Sequence, residues 1–90
     1  SMANYHLEVD SELQSAYLEI STGTSARTVE VDSELLVDLS ADNQLIGIEF
    51  LSLNALKNFT PREISAFTSN EIVEDLAKFI NDQRLNPTVA

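Results

Sequence analysis

Between Tyr5 and Leu51 apolar and polar residues alternate with a period of two in five separate runs, which commits each run to burying one side only. "YHLEV" sets Tyr5, Leu7 and Val9 against His6 and Glu8. "SAYLEIS" sets Ala16, Leu18 and Ile20 against Tyr17 and Glu19. "RTVEV" sets Val29 and Val31 against Thr28 and Glu30, with Arg27 on the apolar side at the start. "LLVDL" sets Leu35, Val37 and Leu39 against Leu36 and Asp38. "LIGIEFL" sets Ile46, Ile48 and Phe50 against Leu45, Gly47, Glu49 and Leu51. Each run reads as a half-buried strand.

The links between runs test this reading, because cross-strand partners share a face and a one-residue slip inverts the row. A turn in "SELQ" pairs Val9 with Ala16, Leu7 with Leu18 and Tyr5 with Ile20. A turn in "TGTS" pairs Leu18 with Val29 and Ala16 with Val31. The link "DSE" pairs Val31 with Leu35 and Val29 with Val37. A two-residue turn at Asp42-Asn43 pairs Leu39 with Ile46, Val37 with Ile48 and Leu35 with Phe50. All four links keep one face apolar, which predicts a five-stranded antiparallel β-meander.

After Leu51 the period changes. "SLNALKN" suits a short helical turn. "TPRE" offers Thr60 as N-cap, Pro61 at the first helical position and Glu63 to close a capping box. "TSNE" repeats the device with Thr68 and Glu71. The helix that follows carries Ile72, Val73, Leu76, Phe79 and Ile80 on one stripe, with Glu74, Asp75, Lys78 and Asp82 outward. That stripe needs an apolar surface, and the meander supplies one. The expected fold class is α+β, with the C-terminal helices packed on the sheet. Ninety residues suit a single domain, placed at 5–84, with the meander at 5–51, the helical segment at 52–84 and frayed ends at 1–4 and 85–90. Asn86-Pro87 is read as the helix stop, and Ser1 before Met2 as a remnant of tag cleavage.

"DLSADNQLIGIE" raises a chemical question. With Asp38 as position one, Ser40 falls at three, Asp42 at five and Glu49 at twelve, as in a calcium-binding helix–loop–helix. Such a loop needs a helix on each side and glycine at its sixth position. Here both flanks alternate as strands and Asn43 holds the sixth position. Asparagine tolerates the left-handed conformation of a tight hairpin, so the stretch reads as a turn.

Charge narrows the function classes. Fifteen acids oppose five bases, for a net charge of −10. Ten of the acids fall in residues 1–50, against Arg27 alone. Such a surface repels phosphate backbones and anionic lipid, so neither nucleic acid nor membrane is an expected partner. No run approaches the roughly 20 apolar residues of a membrane span. Without cysteine there is no disulfide framework and no thiolate site. A cytoplasmic location is the expectation.

At "SAYLEIS", "ARTVEVD" and "VDLSADNQLIGIEFLS" the chain resembles DUF2283, a small prokaryotic family of unknown function. The likeness spans about Tyr5 to Leu56 and includes Tyr17, Glu30, Asp38, Gly47 and Glu49. Asn43 stands where the family pattern has glycine, which fits a left-handed turn position, and residues 60–84 extend beyond the family's core. The resemblance implies a fold and no activity. It also implies a free-standing small protein, for which a role through partners is the natural expectation.

The candidate chemistry is sparse. His6, the single histidine, has Glu8, Glu19 and Glu30 nearby on the polar face, where a surface histidine is a simpler reading than a metal ligand. Serines and threonines lack a base to activate them, and Gly23 and Gly47 form no phosphate-cradling loop. Glu30 and Asp38 are a carboxylate pair capable of acid–base work, yet an open sheet leaves them solvated. No catalytic, cofactor or metal residues are assigned, and an enzyme is not expected. Tyr17, Leu36, Leu45 and Leu51 sit among Glu19, Glu30 and Glu49 on the polar face. An apolar patch with an acidic rim is either an interaction surface or a floor beneath a loop or the helix at 61–67. Two function classes follow. The first is a small interaction protein, self-associating as a dimer or binding a basic protein, for example as an antitoxin-like or accessory subunit. The second is a small-ligand or cation-binding module using the acidic face.

Overall fold

The structure, a computed structural model, describes residues 4–85. Five strands, β1 (His6–Asp10), β2 (Ser15–Glu19), β3 (Arg27–Asp32), β4 (Leu35–Leu39) and β5 (Leu45–Phe50), form one antiparallel sheet. Helix α1 (Leu53–Asn58), a 3-10 segment (Pro61–Phe67) and helix α2 (Asn70–Leu85) follow, completing the expected α+β fold. The ends expected to fray and the helix stop at Asn86-Pro87 lie outside the described residues, apart from Asn4 and Leu85.

The strand order is β1-β2-β5-β4-β3, so the meander is corrected at one link. "TGTS" is not a hairpin turn. Leu18 pairs with Ile48 and Ala16 with Phe50, in place of Val29 and Val31. The chain between β2 and β3 instead crosses the end of the β4–β5 hairpin. The amides of Ile20 and Ser21 both donate to the Ile46 carbonyl, at 2.8 and 3.1 Å, and the Ala26 amide donates to the Leu39 carbonyl at 2.8 Å. Three interstrand spacings amount to about 14 Å. Seven extended residues reach roughly 23 Å, so residues 20–26 make the crossing easily. What favours it is burial. In a meander β5 would be an edge strand, yet "LIGIEF" is the most apolar run and all but Glu49 of it is buried here. The crossing moves β5 to the centre and leaves the more polar β1 and β3 at the edges.

The other three links hold in face, and two differ in detail. Val9 pairs with Ala16 and Leu7 with Leu18 as expected, while Tyr5 precedes the β1 ladder. Val29 pairs with Val37, but a bulge at Val31 places Asp32 opposite Leu35. In the β4–β5 turn the loop has three residues, Ala41 to Asn43. The Asn43 amide donates to the Ser40 carbonyl at 3.0 Å and the Ser40 amide to the Gln44 carbonyl at 2.9 Å. Asn43 is left-handed, with φ of 65°. The longer loop shifts Leu39 onto Leu45. A bulge at Ile46 then restores the expected pairs of Val37 with Ile48 and Leu35 with Phe50.

Helical segments cover one face only. Phe59, Ile64, Leu76 and Ile80 join Leu18, Val37, Ile48 and Phe50 in the core, and the rings of Phe50 and Phe59 meet edge to face at 5.1 Å. Ser52 caps α1 by accepting from the Ala55 amide at 3.0 Å. The Glu63 carboxylate accepts from the Thr60 amide at 2.8 Å, as a capping box requires. The α2 cap is one residue later than expected, since Ser69, not Thr68, accepts from the Ile72 amide at 3.2 Å. The α2 stripe is as predicted, with Leu76 and Ile80 buried and Ile72, Val73 and Phe79 half-buried.

Val37 is fully buried between Val29 and Ile48. Val37→Asp should cost about 4 kcal/mol or more and leave the domain unfolded, read as lost near-ultraviolet dichroism.

Candidate functional site

On the outer face of the sheet the strand registers line up two rows of side chains. One row runs Glu8, Tyr17, Glu49, Leu36, Glu30 across all five strands. The next runs His6, Glu19, Gly47, Asp38, Thr28. In the first row every acid has an apolar or aromatic neighbour on the adjacent strand. That spacing keeps like charges from standing directly opposite one another.

Tyr17 ties the two rows together. Its ring leaves β2, lies across Gly47 of β5 and reaches β4, where its hydroxyl donates to Asp38 Oδ2 at 2.9 Å. Thr28 Oγ1 donates to the other oxygen, Asp38 Oδ1, at 2.6 Å. A Cβ on residue 47 would stand 2.0 Å from the Tyr17 hydroxyl oxygen and 2.3 Å from its Cζ, so only glycine fits beneath the ring. The ring in turn shields the backbone of a strand that lacks a side chain at this point. Burial, followed by the hydrogen bond to the Asp38 carboxylate and the charges of Asp38, Glu19 and Glu49, raises the Tyr17 hydroxyl above its ordinary value.

The patch read from the sequence is only partly assembled. Tyr17 and Leu36 share the outer face, half-buried, with Glu19, Glu30 and Glu49 around them. Leu45 is not there. The bulge at Ile46 places it opposite Leu39, where it is 6% exposed and belongs to the core. Leu51 is 45% exposed but lies past the end of β5, its amide donating to the Glu34 carbonyl at 2.9 Å. The helix at 61–67 does not cover this face; its buried residue, Ile64, belongs to the core. The Tyr17–Gly47–Asp38 bridge was missed from the sequence, because its partners, although on one face, come within reach only once β2 and β5 are neighbours. His6 Nε2 lies 3.2 Å from Glu8 Oε1, an exposed pair within β1. Among the described residues no three His, Asp or Glu side chains converge as a metal site would require. The Asp42 carboxylate accepts from the Ser40 hydroxyl at 2.5 Å, serving the turn.

These features define a class: a small α+β domain with helices on one face of an open sheet and a tyrosine-bridged acidic array on the other. A family model described as protein of unknown function (DUF2283) matches residues 6–53, just over half of the chain, and the chain belongs to that family. The match takes in the whole sheet, including Tyr17, Glu30, Asp38, Gly47 and Glu49, and stops at the first residue of α1. No curated protein and no solved structure gives a significant match. No helix among the described residues is long and apolar enough to cross a membrane.

Gly47→Ala should cost about 1–3 kcal/mol by displacing the ring. In a Tyr17→Ala background the same change should be neutral or stabilising, as urea denaturation of the double-mutant cycle would show. Alkali provides a second check. The hydroxyls of Tyr5 and Tyr17 are both raised in the folded state, that of Tyr5 by burial and then by Asp75 and Glu71. Above about pH 10, where a free tyrosine loses its proton, the native state therefore holds more protons than the unfolded one. This contribution is complete below that pH and is lost as the pH rises through the folded values. Tyr17→Phe should flatten the fall in stability measured between pH 9 and pH 11.

Proposed function

We propose that this is a non-enzymatic interaction protein whose outer sheet face receives a basic segment of another protein. The row Glu8, Tyr17, Glu49, Leu36, Glu30 carries the reading. Lys and Arg side chains are amphipathic, with an aliphatic stem and a cationic head. Their stems match Tyr17 and Leu36, and their heads match the flanking carboxylates. The face of the Tyr17 ring adds a cation–π site. The two rows hold the carboxylates of Glu8, Glu19, Glu30, Asp38 and Glu49 and no Lys or Arg.

A binding role also accords with how the polar groups are used. Both Asp38 oxygens accept hydrogen bonds from neighbours, and the Tyr17 proton is held more tightly than in a free tyrosine. Groups committed in this way are poor proton carriers and good rigid supports. The role expected of such a domain is that of an accessory or antitoxin-like subunit, which acts by occupying its partner.

Glu19→Lys together with Glu49→Lys reverses the charge at the centre of the face without touching the core. The parent domain, immobilised, should retain a basic protein from the source cell and release it as salt rises. The double variant should retain at least tenfold less of that protein, since two interfacial charge pairs are each worth about 1.5 kcal/mol or more. Equal retention by both proteins would refute the reading.

A further inference from the structure

The two edges of the sheet differ in how they are guarded. At β3 a bulge at Val31 interrupts the ladder and twists the strand, a common defence against pairing with another chain. At β1 the ladder to β2 runs from His6 to Asp10 with no shift, and no strand among the described residues occupies its outer side. The inner side of this edge is also uncovered. Leu7 and Val9 open onto a groove of about 780 Å³ lined further by Leu53, Leu56, Phe79 and Ile80. Val9 is 52% exposed at its rim, while Leu7 and the preceding Tyr5 pack against the core.

We propose that the β1 edge pairs with β1 of a second copy, antiparallel and centred on Leu7, to give a continuous ten-stranded sheet. The stretch "YHLEV" is self-complementary. A two-fold axis through Leu7 sets Leu7 against the partner's Leu7 and Tyr5 against the partner's Val9, all on the inner face. On the outer face it sets His6 against the partner's Glu8, and Glu8 against the partner's His6. An imidazole donor thus meets a carboxylate acceptor twice, and apolar residues meet apolar residues throughout. A symmetric pair makes each cross-strand contact off the axis twice, which is why a palindromic pattern favours this partner.

Other pairings lack this match. Centring β1 on Glu8 opposes two carboxylates, and centring it on His6 opposes two imidazoles. An axis between residues sets inner-face side chains against outer-face ones, which a continuous sheet forbids. For β3, a centre at Glu30 opposes two carboxylates and a centre at Val29 sets Arg27 against Val31. In the β1 pairing the two mainly apolar grooves, which also carry Lys57, Gln83 and Arg84, meet across the axis and cover Val9. This surface is distinct from the one proposed for the basic partner, and the two acidic faces end side by side on the joined sheet.

The test uses the whole chain in sedimentation equilibrium, with two exposed residues exchanged. The parent should dimerise, more tightly in high salt because two chains of charge −10 repel. His6→Glu opposes carboxylates, and Glu8→His opposes imidazoles; each should weaken the dimer by about tenfold, from two lost cross-strand pairs. Glu8→His also lowers the net charge, so weaker association in that variant cannot be charge repulsion. The double exchange His6→Glu with Glu8→His restores both pairs and should restore the parent affinity. Amide exchange at His6–Asp10 should slow with rising protein concentration, while exchange at β3 does not. A chain that stays monomeric at high concentration and high salt overturns the pairing, and leaves the edge to the chain's own ends or to another partner. A double exchange as weak as the single ones, or concentration-dependent protection at β3 in place of β1, overturns it equally.

Discussion

The burial of β5 organises this domain. Its run "LIGIEF" is too apolar for an edge, and a chain of this size has few ways to cover both faces and both sides of one strand. The fold meets the need from four directions. β2 and β4 pair on either side, α1 and the later helical residues cover Ile48 and Phe50, and the Tyr17 ring covers Gly47 from outside. The crossing of residues 20–26 is a consequence, since it is the route that places β3 beyond β4 and lets β2 reach β5.

Placing β5 at the centre also creates the outer array. With β2 and β5 adjacent, Tyr17 stands one strand from Gly47 and two from Asp38, a distance its ring spans. The missing side chain on residue 47 and the long side chain on residue 17 are two halves of one contact. The same registers interleave Tyr17 and Leu36 with Glu8, Glu49 and Glu30, so an acidic face is held without carboxylates directly opposed in that row. An acidic face of this kind is the one proposed to receive cationic side chains, and no helical segment of the described chain contributes its buried residues there.

The sheet's asymmetry has a cost at its margins. Moving the polar strands outward leaves two edges, and the sequence treats them differently. Val31 bulges β3 away from further pairing, whereas β1 is regular and carries a self-complementary pattern beside an apolar groove. An edge strand of that kind either meets a defined partner or becomes a site of indiscriminate association. The central Leu7 and the reciprocal His6 and Glu8 favour the defined outcome.

Strand positions, the side of the sheet most strand residues face, the helical stripe of α2 and the hairpin at Asn43 were legible in the sequence. Parity and helical period are properties of a few neighbouring residues, and tertiary packing rarely overturns so strong a pattern. Family membership was legible for a similar reason, in the spacing of Tyr17, Glu30, Asp38, Gly47 and Glu49. The loop length of the β4–β5 turn was misread, yet Val37 still met Ile48, because the extra loop residue and the bulge at Ile46 cancel. Leu45 paid for that cancellation by changing faces, which no alternation rule foresees. Strand order and the Tyr17–Asp38 bridge belonged to the tertiary structure alone. Which strand sits beside which is decided by the burial of the whole sheet, and that sum is written in no single segment of the chain.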